Sequence, residues 1–301
     1  MTLSSSIDVV PLSDADRATM PALRRELIGF WSMPVFQASL RVGYDAYIAL
    51  TPPVAGVTVE TSNDPLVPGW VCRPTDAVEG EVLLYLHGGA YVMGSAAAYR
   101  GLVSQIAARA RRVAYILEYP LAPEAPSPTA IHLAVAAVER LAQTHRKIAI
   151  VGESAGGGLT LATLAQTSKA TAAVVFSPWT DMTFSGASLR ERATRDFLLG
   201  EGALRDAARG YLGGASSREA YGSPWMNVPD TLPPLLIQVG SEEILYDDSL
   251  LYARKAREKG REVVLQEYTG MHHVFQQNVV QLEAARQALD FAAEFLDQHM
   301  R

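Results

Sequence analysis

Lys147-Ile148-Ala149-Ile150-Val151-Gly152-Glu153-Ser154-Ala155-Gly156 decides how the whole chain is read. Lys147–Val151 is a short apolar run with strand character, and residues 155–166 beyond it have helical composition. A serine therefore stands on a turn between a strand and a helix. Such a turn is tight, and side chains at Gly152 and Gly156 would clash. It holds the Ser154 hydroxyl out at the strand end, while the helix N-terminus supplies N–H groups and a positive dipole. Gly-x-Ser-x-Gly alone is a weak pattern; its place between strand and helix gives it weight.

The same alternation extends along the chain. Strand-like runs are expected at 57–61, 70–73, 82–86, 113–118, 147–151, 172–176, 235–239 and 262–268. Several are continuously apolar, as strands buried on both faces would be. Helical stretches are expected at 96–108, 129–143, 155–166, 248–259 and 283–298. The pattern predicts an α/β fold with a mostly parallel eight-stranded sheet flanked by helices.

Two regions depart from it. Residues 1–50 read as helices, with Ser13 as an N-cap, Asp14 and Asp16 in the first turn, and Met20, Leu23, Leu27 and Phe30 on one face. A second helical stretch, 35–49, is stopped by Thr51-Pro52-Pro53. Residues 183–222 hold no strand but a helical piece around 201–211. The expected organisation is thus N-terminal cap helices over 1–50, a catalytic domain over 51–182 and 223–301, and a cap insertion over 183–222.

Composition excludes several classes. The chain has 301 residues, 49% hydrophobic and 19% charged, with a net charge of −6. That suits one large domain with a small accessory part. No basic patch points to nucleic acid; the cluster Arg109, Arg111 and Arg112 reads as solvated surface. The single cysteine, Cys72, allows no intramolecular disulfide and no thiolate metal cluster, and reads as a small packed residue. Met1–Val10 lacks the pattern of a secretion signal, and no apolar run is long enough to span a membrane. A soluble, cytoplasmic protein is the expectation.

Three further stretches carry chemistry. His87-Gly88-Gly89-Ala90 follows the run 82–86. Its glycines free backbone N–H groups to face an anion such as the oxyanion of acyl transfer, so Gly88, Gly89 and Ala155 are the expected donors. His87 reads as structural, its ring bonding the loop. Gly270-Met271-His272-His273-Val274-Phe275 places two histidines on a loop at a strand end, where one can act as base for a serine hydroxyl. The acid that orients it belongs after the run 235–239, where Glu242, Glu243, Asp247 and Asp248 compete. Asp247 and Asp248 read as helix-capping residues, and the two glutamates lie nearer the strand end.

Together these residues resemble the hormone-sensitive-lipase family of bacterial esterases, on the α/β-hydrolase fold. His87-Gly88-Gly89-Ala90 is similar to the family's His-Gly-Gly-Gly box, and Gly152–Gly157 to its nucleophile box. Tyr119-Pro120-Leu121-Ala122-Pro123-Glu124 and Ser177-Pro178-Trp179-Thr180-Asp181 resemble two more of its segments, in the right order. The resemblance picks Glu243 as the acid, a glutamate where aspartate is usual, and His273 as the base. Glu242 and His272 are left to the surface or to support.

It implies hydrolysis of short-chain esters of small molecules through a Ser154–His273–Glu243 triad, with no cofactor or metal, under a cap, and in a homodimer. The same triad serves amide or lactone cleavage. A ligand-binding protein on this fold, of the gibberellin-receptor kind, lacks the histidine that this chain has as His273. The departures are Ala90 for the third glycine and Pro120 for an arginine. Glu153, Glu124 and Asp181 are expected in buried hydrogen bonds that hold loops. Tyr91, Phe30 and Trp31 are read either as lining of an acyl pocket or as cap core.

Overall fold

A computed structural model describes residues 7–219 and 221–301. Of the N-terminal stretch read for a leader, residues 1–6 lie outside the described residues. The strands are β1 (Asp8–Val10), β2 (Val57–Thr61), β3 (Gly69–Pro74), β4 (Glu81–Leu86), β5 (Val113–Leu117), β6 (Lys147–Glu153), β7 (Ala172–Phe176), β8 (Leu235–Gly240) and β9 (Val263–Tyr268). The helices are α1 (Asp14–Trp31), α2 (Pro34–Ala38), α3 (Leu40–Ile48), α4 (Arg100–Ala110), α5 (Thr129–Leu141), α6 (Ala155–Leu164), α7 (Ser188–Glu191), α8 (Glu201–Leu212), α9 (Tyr246–Glu258) and α10 (Glu283–His299).

The strands form one sheet in the order β1-β9-β8-β7-β6-β4-β5-β3-β2. Pairing is parallel from β1 to β5; at the far edge β3 pairs antiparallel with both β5 and β2, so β3 alone runs against the other strands. The sheet is nine-stranded, not eight-stranded. The extra strand is β1, whose Asp8, Val9 and Val10 pair with Gln266, Glu267 and Tyr268. Three residues show no periodicity, so only the free edge of β9 makes a strand of them. β4, β6, β7 and β8 are buried almost throughout, as their apolar runs require.

Two cores lie on the two faces of the sheet. Helices α5, α6 and α9 pack on one, α4 and α10 on the other, the latter with the N-terminal helices. Ser13 caps α1 as expected, accepting the Asp16 N–H at 3.1 Å. Asp16 itself is buried and accepts the N–H groups of Glu283 and Ala284 at the start of α10. One surface reading is corrected. Arg112 is buried, not solvated, and pairs with Glu81 at 2.8 Å and Asp297 at 3.1 Å. Cys72 is buried in the core, its thiol facing the Arg100 carbonyl.

Candidate active site

The carboxyl ends of β4, β6, β7, β8 and β9 face one side of the sheet, so the loops that follow them meet there. Ser154 stands between β6 and α6 with φ 54 and ψ −123, a left-handed conformation that an L-residue adopts only under constraint. The constraint is visible: its N–H donates to the Phe176 carbonyl at 2.9 Å, and its carbonyl accepts from Trp179 and Gly158. A Cβ on Gly156 would run into the Leu86 and His87 carbonyls, and one on Gly152 into the Gly156 carbonyl, so the turn closes only with glycine there.

The three loops bring Ser154, His273 and Glu243 into one line. His273 Nε2 lies 2.9 Å from Ser154 Oγ, and its Nδ1 lies 2.6 Å from Glu243 Oε2. Glu243 is fully buried; its other oxygen accepts from Ser177 Oγ at 2.7 Å and from the Gly240 N–H at 2.8 Å. Ser177 Oγ also accepts the Val274 N–H at 3.1 Å, so one hydroxyl ties the acid to the histidine loop. Burial alone would lower the His273 pKa. The Glu243 charge and hydrogen bond, with Asp196 and Glu153 farther out, outweigh burial and hold it above 6.5. The arrangement can take a proton from the serine hydroxyl and stabilise the imidazolium that results.

Of the other candidates, Glu242 bonds Ser241 Oγ and faces Arg195. His272 is buried, with Nε2 at 2.9 Å from Asn278 Oδ1, and desolvation lowers its pKa to about 4. Asp247 and Asp248 sit in the first turn of α9 but do not cap it. Asp248 accepts the N–H groups of Thr180 and Asp181, and Asp247 that of Ser188, so both hold the segment after β7. Asp181 makes the expected local hydrogen bonds, to Thr183 and Ser185. Glu124 does not: it is exposed and pairs with Arg41, which also donates to the Ala122 and Val92 carbonyls.

The expected oxyanion donors divide. Gly88 is a correction: its N–H donates to the buried Glu153 carboxylate and is not free for a substrate. Sequence alone did not reveal this, because the direction of that N–H depends on a carboxylate 65 residues away. Gly89 and Ala90 line the cavity with Ser154, and Ala155 follows the serine at the first position of α6. Gly89 and Ala90 have φ 106 and 53, which turns this loop back on itself. His87 holds it from behind, Nδ1 at 2.8 Å from the Gly88 carbonyl and its ring stacked on Tyr119 at 4.2 Å. Burial lowers the His87 pKa to about 4, so it stays neutral.

In front of Ser154 and His273 lies a cavity of about 660 Å³, walled mainly by apolar side chains. Trp31, Leu40 and Tyr47 of the N-terminal helices form one wall, and Leu198, Leu204 and Ala207 of the 183–222 segment another. Trp31 thus lines the cavity. Phe30 packs edge-on against Phe36, and Tyr91 is buried and stacks on Tyr211 at 3.8 Å. A cavity of about 570 Å³ beside α9, lined by Leu250, Arg254 and Leu265, contains none of the three aligned groups.

Known proteins share this fold. A family model described as alpha/beta hydrolase fold matches residues 83–277. An acetyl-hydrolase of Streptomyces hygroscopicus is 39% identical over 235 residues, 75% of this chain and 78% of its own. An esterase from the bacterial hormone-sensitive lipase family superposes with a TM-score of 0.88 at 31% identity, covering 94% of this chain and 99% of its own. The chain belongs to the hormone-sensitive-lipase family of α/β hydrolases. It is a carboxylic ester hydrolase. An Acinetobacter venetianus esterase is 34% identical to this esterase over 224 residues, 71% of this chain and 74% of its own. The structure of EstE5 soaked with p-nitrophenyl butyrate superposes with a TM-score of 0.86 at 32% identity, covering 96% and 99% of the two chains. Among the described residues, no helix is long and apolar enough to cross a membrane.

Proposed function

We propose that this esterase hydrolyses short-chain esters of small molecules by two-step acyl transfer on Ser154. The observation that carries the reading is the line of contacts from Glu243 through His273 to Ser154 Oγ, opening on an apolar cavity. Ser154 Oγ attacks the ester carbonyl while His273 Nε2 takes its proton, and Glu243 keeps Nδ1 protonated and oriented. The oxyanion is held by the N–H groups of Gly89, Ala90 and Ala155; losing one such donor costs about 3 kcal/mol of transition-state stabilisation. His273 then protonates the leaving alcohol. Water attacks the acyl-enzyme by the same route and releases the acid.

The helices α1 to α3 and residues 183–222 act as the cap, while β1, inside the stretch 1–50 expected as cap, belongs with the sheet of the 51–182 and 223–301 catalytic domain. The family resemblance also supports a homodimer, and size-exclusion chromatography with light scattering giving only monomer mass would end that idea. The chemistry is tested with p-nitrophenyl esters from acetate to decanoate, comparing wild type with Ser154→Ala. A loss of about 10⁴-fold or more with a short-chain optimum in wild type is expected. Equal activity in both proteins would discard Ser154.

A further inference from the structure

We propose that the side-chain amide of Gln277 is a substrate-binding group, and that the preferred esters carry a second hydrogen-bonding group, a hydroxyl, beyond the scissile ester. The inference rests on the reading of Ser154 as the nucleophile in this cavity.

Gln277 lies on the 3-10 turn Phe275–Asn278, four residues after His273. Its backbone is committed: its N–H donates to the Val274 carbonyl, and its carbonyl accepts from Thr51 Oγ1 at 3.0 Å. Its side chain is not. Gln277 is only 7% exposed, yet its buried Nε2 has no hydrogen-bond partner among the described residues. The amides on either side each hold a protein partner, although Gln276 Oε1 is also buried without one. Gln276 Nε2 donates to Gln238 Oε1 at 3.1 Å, and Asn278 Oδ1 lies 2.9 Å from His272 Nε2. Both are built into the protein interior, whereas Gln277 lines the same cavity as Ser154 and His273.

Buried polar groups are nearly always paired, and one left unpaired in an apolar cavity selects for a ligand that pairs it. A primary amide offers two N–H donors and a carbonyl acceptor. A hydroxyl satisfies both kinds at once, which a plain alkyl chain cannot. Gln277 shares its wall with Tyr47, and the two also line a smaller cavity of about 180 Å³. Gln277 and Tyr47 therefore form part of the wall of both cavities.

The test compares kcat/KM for ethyl butyrate, ethyl 3-hydroxybutyrate and 2-hydroxyethyl butyrate in wild type, Gln277→Leu and Gln277→Met. The second ester places the hydroxyl on the acyl side, the third on the alcohol side. In wild type, one hydroxy ester should exceed ethyl butyrate, and both variants should cut that ratio about tenfold, as loss of one hydrogen bond of about 1.4 kcal/mol requires. Ratios unchanged by both variants on both arms, in protein that melts as wild type does, would overturn the proposal. Turnover of all three esters that survives Ser154→Ala would instead overturn the reading on which it rests.

Discussion

At the scale of single residues, the site depends on distances that a methylene can spoil. Glu243 is the longer acid, and its extra carbon is absorbed inside a buried pocket where it meets His273, Ser177 and the Gly240 N–H. Glu243→Asp should leave the carboxylate about 1 Å short of the imidazole and lower kcat/KM roughly 100-fold, a misplacement cost of ordinary size. Full activity in that variant would show that the acid's reach is not critical. Because His273 must be neutral to act as base and is held above 6.5, kcat/KM should rise with pH along a limb centred above that value. A limb centred well below 6.5 would contradict the electrostatics described.

At the scale of elements, the 183–222 segment meets the acid loop through Ser188, Arg195 and a buried carboxylate, Asp196. Asp196 accepts the N–H groups of Leu198 and Leu199, which line the cavity, and that of Ile244, next to Glu243. Its charge also helps raise the His273 pKa. Asp196→Asn keeps the volume but loses the charge and turns an NH₂ toward donors. It should lower stability by about 2 kcal/mol and move the acidic limb of the rate profile to lower pH. Thermal melts and a pH–rate series report the two effects separately, and an unmoved limb would remove Asp196 from the electrostatics of the site. None of this was legible in the sequence. Asp196 and Ile244 are 48 residues apart, and Ser177 and Glu243 are 66 apart, so nothing local marks either pair.

At the scale of the whole molecule, buried neutral histidines link stability to pH. His87 and His272 have pKa values lowered to about 4, while an unfolded histidine titrates near 6.5. Between those values the unfolded chain binds protons that the folded one refuses, so stability falls as pH falls through that window. For His272 the loss between pH 6.5 and pH 5 is about 2 kcal/mol, at about 1.4 kcal/mol per pH unit. His272→Gln should therefore lose less stability than wild type over that interval in urea melts. Parallel slopes for the two proteins would show that His272 is not held neutral.

The sequence by itself determined the α/β architecture, because parallel strands buried on both faces must be written as continuous apolar runs. It also marked Ser154 and the loops of Glu243 and His273, since a strand-to-helix serine turn needs glycines at set positions and catalytic loops follow strand ends. Tertiary structure decided what depends on where distant groups arrive. The free edge of β9 made a strand of Asp8–Val10. The Glu153 carboxylate took the Gly88 N–H. The packing of the Phe275–Asn278 turn gave Gln276 and Asn278 partners inside the protein and placed Gln277, its Nε2 unpartnered, on the cavity wall. Composition and periodicity describe a segment against its own neighbours, and these outcomes were set by partners that only folding supplies.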